Sequence, residues 1–262
     1  MTKSILCLGS RGEEVEELQK RLHINSDGMF GYATLNAVNS FQRNNGLSAD
    51  GIVGEKTWAK LNEDLLYFTF TNIYIIKCKP QNAEVTLIGN TLHRANANGI
   101  NGTFFDTSRP DLPQSCWGLA VNKGNPIGPN AHITDWKGKK RGTVAWNGSE
   151  MLSQRINHYS EILGMVWGIS GVMLVPDYNR WAERYLNDVY RKTNHTVIGF
   201  DEEYIYLMVQ KNCTMTQLIK TCKKFGLKGA VSLDGGGSSQ LRFNGKGVFS
   251  ARKINSAVII KG

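Results

Sequence analysis

Along the first 62 residues the apolar positions fall at helical spacing. Val15, Leu18 and Leu22 form one stripe, Ala37, Val38 and Phe41 a second, and Trp58 with Leu61 closes a third. Ser10 and Glu13 have the spacing of a capping box before the first stripe, and Gly46 stops the second. The stretches "DGMFGYAT" (27–34) and "DGIVGEKT" (50–57) repeat one another at an offset of 23 residues. In each, Asp-Gly makes a turn, a second Gly follows three residues on, and a Thr three further marks a helix start. The pattern predicts three short helices joined by Asp-Gly turns, with Asp27, Asp50 and both threonines building turns and caps.

After "NEDLLYFTF" the helical period gives way to an extended one. "IYIIKC" (73–78) and "AEVTLIG" (83–89) are rich in β-branched and aromatic residues and predict strands. "HTVIGF" (195–200) and "YIYLMVQ" (204–210) flank "DEE" and predict a hairpin, with Asp201, Glu202 and Glu203 as solvated turn residues. "TMTQLIKTCKKFG" puts Met215, Leu218, Ile219, Cys222 and Phe225 on one face, Thr214 at its start and Gly226 at its end, and predicts an amphipathic helix. "GAVSL" (229–233) then returns as a buried strand that carries Asp234 at its C-terminal end. Regular βαβ alternation is missing. The expected architecture is a small all-α three-helix domain over residues 1–64, followed by a larger α+β domain over 65–262 with a mixed or antiparallel sheet.

Charge sharpens this division. Residues 1–62 hold 7 Lys+Arg against 7 Asp+Glu, so the net +9 of the chain resides in the remainder, which carries 24 against 15. A basic second domain points to an anionic partner. The lysines and arginines are scattered rather than striped with exposed aromatics, which argues against nucleic acid. The most apolar run, "LLYFTFTNIYII", has 12 residues, too few to span a bilayer. Five cysteines, an odd number without CxxC spacing, predict reduced thiols packed as small hydrophobes, and no His/Cys grouping calls for a metal. The start "MTKSILCLGSRG" lacks the features of a secretory signal, so the protein is expected to be made in the cytoplasm.

Two segments carry candidate chemistry. In "VSLDGGGSSQLRF" (231–243), Asp234 at a strand end precedes Gly235, Gly236 and Gly237, then Ser238, Ser239 and Gln240. Glycines let a substrate lie against the main chain and present N–H groups to an anion, more than a tight turn requires. In "GINGTFFDTSRP" (99–110), Asn101, Gly102 and Asp106 surround two phenylalanines.

"LGSRGEEVEELQKRL", "DGMFGYATLNAVNSFQRNNGL" and "DGIVGEKTWAKL" resemble the peptidoglycan-binding family of three-helix domains, which implies a non-catalytic wall-targeting role. Phe30, Tyr32 and Gln42 are the candidates there for a ligand-facing surface. In the second domain, "INGTFFD", "GISGVMLV" (168–175), "HTVIGFDEEYIYLMV" and above all "LKGAVSLDGGGSSQL" resemble the phosphodiester glycosidase family in the family's order. That resemblance implies hydrolysis of a sugar joined through phosphate. The family commonly has an arginine where this chain has His195, with Arg191 four residues earlier. The expected catalytic set is Asp234, Asp106 and His195. Asn101, Gly102, Arg191, the three glycines, Ser238, Ser239 and Gln240 are expected to bind substrate, without metal or cofactor.

Such an enzyme would act at the bacterial wall after release from the cell, on peptidoglycan or anionic wall glycans. The linkage that anchors wall teichoic acid, N-acetylglucosamine-1-phosphate on a muramic 6-oxygen, has the matching connectivity. Two other readings fit the same chain: a phage-type endolysin that cuts the peptidoglycan strand, and a non-catalytic wall-binding protein.

Overall fold

The computed structural model describes residues 3–135, 137–183 and 185–261. These form two compact units that divide between Thr71 and Asn72. Among the described residues no helix is long and apolar enough to cross a membrane.

In the first unit, helices α1 (Glu13–Arg21), α2 (Tyr32–Asn44) and α3 (Glu55–Leu61) are followed by strand β1 (Leu65–Thr69). The three stripes meet as expected: Val15, Leu18, Leu22, Val38, Phe41, Trp58 and Leu61 are all buried. The helix starts differ from expectation. Gly12, Gly31 and Gly54 occupy the N-cap positions without a side-chain cap. Ser10 Oγ instead accepts from the Cys7 amide, and Thr34 and Thr57 lie inside the first turns.

Those threonines answer to a buried glutamine that the repeat did not announce. Gln19 Nε2 donates to Asp27 Oδ1, the Met29 carbonyl and Thr34 Oγ1, while its Oε1 accepts from the Gly28 amide. Twenty-three residues later Gln42 does the same with Asp50, Ile52, Thr57 and Gly51. Each Asp-Gly turn is thus wired to the preceding helix by one fully satisfied amide, which removes the cost of burying it.

The second unit is built from strands: β2 (Ile73–Cys78), β3 (Ala83–Asn90), β4 (Gly99–Asn101), β5 (Ala120–Asn122), β6 (Asn125–Pro126), β7 (Arg141–Trp146), β8 (Met151–Ile156) and β9 (Trp167–Val175). A short helix α4 (Arg180–Glu183) precedes β10 (Thr193–Phe200), β11 (Ile205–Cys213), helix α5 (Met215–Lys224), β12 (Gly229–Ser232), β13 (Leu241–Phe243), β14 (Lys246–Val248) and β15 (Ile254–Ile260). The larger sheet runs β2–β11–β10–β12–β9–β5–β6, with the β7–β8 hairpin also on β9; the smaller runs β14–β13–β4–β15–β3. Neighbouring strands of the unit pair antiparallel. Strands β9 and β12 are buried along their whole length, which explains why small and apolar residues fill both without a polar alternation.

Local signals held here. The β10–β11 hairpin turns at 201–204, where Asp201 Oδ1 accepts from the Glu203 and Tyr204 amides and so caps the turn. Helix α5 opens with a capping box between Thr214 and Gln217. Four cysteines are buried free thiols and Cys7 is exposed.

Candidate active site

The site forms where the C-terminal end of β12 meets β4 of the smaller sheet, and Asn101 is the joint. Its Oδ1 accepts from Thr196 Oγ1 on β10 (2.7 Å) and from the Gln240 amide (2.9 Å). Its Nδ2 donates to the Asp234 carbonyl (2.8 Å) and to the Gly102 carbonyl (3.4 Å). One buried amide therefore ties both sheets to both ends of the glycine loop, and it has no hydrogen-bonding capacity left for a sugar. Gly102 serves the same seam. Its amide donates to the Ser256 carbonyl at 2.7 Å, and a Cβ there would lie 2.3 Å from Ser256 Oγ.

Asp234 follows directly. Its amide donates to the Gly102 carbonyl, and its Oδ1 accepts from the Gly235 amide at 3.0 Å. The residue keeps partial solvent access, yet the protein packed round its carboxyl raises its pKa from 3.8 to about 6. Loss of hydration is the main cause; the Ser238 hydroxyl, the Gly235 N–H and Arg252 oppose it, and Asp188 adds to it.

The loop then turns once through Gly236–Ser238, with Gly236 at φ +60°, a conformation that disfavours any side chain. Among the described residues, the Gly236 and Gly237 amides have no hydrogen-bond acceptor. Two exposed arginines line this loop. A Cβ on Gly236 would come within 3.2 Å of Arg191 Nη2, and one on Gly237 within 2.9 Å of the Arg252 guanidinium carbon. Arg252 Nη1 also donates to Ser238 Oγ at 3.3 Å. The surface thus presents one reluctant carboxylate, two N–H groups and two guanidiniums, a set that suits a phosphate next to a reacting carbon.

Other expected residues turn inward. Ser239 Oγ donates to the Asn194 carbonyl, and Gln240 joins the Leu92 amide to the Arg252 carbonyl. His195 is buried with Nε2 against the Arg191 carbonyl, and desolvation lowers its pKa, so it is a neutral prop beneath the loop. Asp106 Oδ1 accepts from the amide and hydroxyl of Ser108, which hold its pKa below the ordinary value with help from Arg109. It closes its own Asx turn.

Sequence reasoning missed Arg252 and Asp188. Asp188 is exposed on a turn over 187–190 that leads into Arg191. The turn is joined to α4 through Arg180, which donates to Asn187 Oδ1 and whose carbonyl accepts from the Tyr190 hydroxyl. Helix α4 itself is fastened by Glu183, which is buried, raised in pKa by desolvation, and held by Arg155 Nε (2.9 Å) and the Met173 amide. Neither residue belongs to a local motif; only the fold brings them to the loop. Among the described residues no three His, Cys, Asp or Glu side chains gather as a metal site needs.

In the first unit, Phe30 and Gln42 are buried and so do not face a ligand, whereas Tyr32 is exposed. A groove of about 410 Å³ runs between α2 and β1, floored by Phe41 and Phe68 and rimmed by Asn36, Ser40 and Thr69.

Comparison with known proteins follows the two units. Residues 11–61 match the peptidoglycan binding domain family, and residues 95–261 match the phosphodiester glycosidase family. The spore cortex-lytic enzyme of Bacillus cereus is 40% identical over 62 residues, covering 21% of this chain and 24% of that enzyme. A Burkholderia AP3 phage endolysin is 44% identical over 22% of this chain and 25% of its own, with a TM-score of 0.22. The present chain therefore spans about a quarter of the length of these lytic relatives. The catalytic domain of zebrafish N-acetylglucosamine-1-phosphodiester alpha-N-acetylglucosaminidase, auto-inhibited by its pro-peptide, shares the fold, with a TM-score of 0.59 at 16% identity over 76% of this chain and 81% of that one. With its family model spanning well over half of the residues, the chain belongs to the phosphodiester glycosidase family, here preceded by a module of the peptidoglycan-binding type.

Proposed function

We propose that the protein is a hydrolase directed to the bacterial cell wall, cleaving a sugar-1-phosphodiester in an anionic wall glycan. The observation that carries this reading is Asp234: a carboxyl with its pKa near 6, at a rigid strand end, beside two unpartnered N–H groups and two arginines. A carboxylate stabilises positive charge developing at an anomeric carbon, whereas it would repel a phosphoryl group, so the C1–O bond is the one broken. Its electron pair leaves on the phosphate oxygen, already a weak base, held by Arg191, Arg252 and the loop amides. Asp234 faces C1, and Asp188 supplies the second carboxylate, which takes the proton of the incoming water. The teichoic acid linkage to peptidoglycan is the proposed target, and the first unit holds the enzyme on that wall.

Purified walls treated with the protein should release polymer, and the Asp234→Asn variant should release none; equal release by both rejects the reading. In ¹⁸O-water the label should enter the sugar hydroxyl, and label in the phosphate would reject C1–O cleavage. The module's likeness to a cortex-lytic enzyme supports a second reading, cleavage of the peptidoglycan strand itself. New reducing ends on phosphate-free walls would favour it.

A further inference from the structure

Beside the glycine loop, helix α4 displays a tryptophan that the chemistry above does not use. Trp181 is 77% exposed, although an indole usually covers most of its apolar area. It is not on a loose loop. The Trp181 amide donates to Asn179 Oδ1, and two residues later Glu183 anchors the same helix turn under β9 through the Met173 amide and Arg155. The neighbouring Arg180 lies over two rings, 5.5 Å from the Trp181 centroid and 4.6 Å from that of Tyr190. Tyr190 in turn donates its hydroxyl to the Arg180 carbonyl, and Arg180 Nη2 donates to Asn187 Oδ1. Trp181, Arg180 and Tyr190 thus make a braced row that ends at Arg191, the residue whose Nη2 reaches Gly236.

We propose that Trp181 and Arg180 form a second subsite, taking the next sugar phosphate unit of an anionic polymer whose first phosphodiester lies on the glycine loop. The C–H face of a sugar stacks on the open indole, and the adjacent phosphate meets the guanidinium, which its two rings leave fixed but still solvated. Because the row is held before any ligand arrives, ordering it at binding costs little. This subsite rests on the reading of the loop as the hydrolytic centre, and it makes the enzyme prefer a polymer to a single linkage.

The test uses the full chain and two synthetic diesters of N-acetylglucosamine-1-phosphate, one with methanol and one carrying a tail of three hexose phosphate units. Trp181→Ala should raise KM for the tailed substrate on the order of tenfold with kcat unchanged, and leave the methyl diester untouched. Trp181→Phe should recover most of the loss. An equal effect of Trp181→Ala on both substrates, or on neither, overturns the proposal, as does the same dependence with a phosphate-free hexose tail. Should the wild-type protein cleave neither diester, the hydrolytic reading fails and the subsite is judged by calorimetry with the hexose phosphate tail alone. Binding weakened about tenfold in Trp181→Ala supports it, and equal binding refutes it.

Discussion

Replacing Asp234 by Asn should abolish turnover and, at the same time, change how the fold responds to pH. The carboxyl titrates near 6 in the folded protein against 3.8 when unperturbed. A carboxyl whose folded pKa is raised binds its proton more tightly in the native state, so native stability falls as pH climbs from below 4 to above 6. A shift of about two units is worth about 3 kcal/mol in full, of which about 2 kcal/mol is lost between pH 4.5 and pH 8. Asn cannot ionise, so the variant escapes this loss. Its amide oxygen still accepts from Gly235 N–H, and any difference in packing or hydrogen bonding that does not depend on ionisation is the same at both pH values and cancels. Urea unfolding of the two proteins at pH 4.5 and pH 8 should therefore show the variant gaining about 2 kcal/mol on the wild type across the interval. A variant that runs parallel to the wild type at both pH values would refute the desolvated carboxyl, and with it the poised acid. The wild-type kcat/KM should rise with a midpoint near pH 6 as Asp234 ionises.

Further outcomes follow from the same geometry. Arg252→Gln removes the cation that favours ionised Asp234, so the activity midpoint should move to higher pH while kcat/KM falls about a hundredfold. Gly102→Ala forces a Cβ against Ser256 and should destabilise the second unit by about 1–3 kcal/mol, read from its urea midpoint. Gln42→Ala strands the Gly51 amide and Asp50 and should cost the first unit about 2–4 kcal/mol. Wall binding in a pull-down should weaken, while kcat on the methyl diester should stay unchanged.

Much of this architecture was legible because it is local. The 3.6-residue stripes of α1 and α2, the Thr214–Gln217 box of α5 and the Asp201 turn each depend on residues within a few positions of one another. Asp234 could be read as the end of β12 for the same reason. What escaped depends on distance along the chain. Asn101 looked like a sugar ligand because a buried amide that joins Thr196 to Gln240 leaves no local trace. His195 looked like a phosphate clamp until the fold put the Arg191 carbonyl on its Nε2. Arg252 lies in a polar stretch, "SARK", with no periodicity, and Asp188 in an exposed turn tied back to α4 through Arg180. Phe30 and Gln42 fell on the wrong side because the Asp-Gly repeat advertises its turns and conceals the glutamine that fastens them.

Asn101 fixes Asp234 by suspending it between two sheets that touch the loop from opposite directions. The Asp-Gly-Gly-Gly string is consequently not a portable cassette. Transplanted to the end of another strand it would keep its flexible backbone and lose the desolvation that sets its acidity. The surroundings that set the acidity of Asp234 exist only in the complete second unit, where Thr196, Asn101 and Gln240 meet.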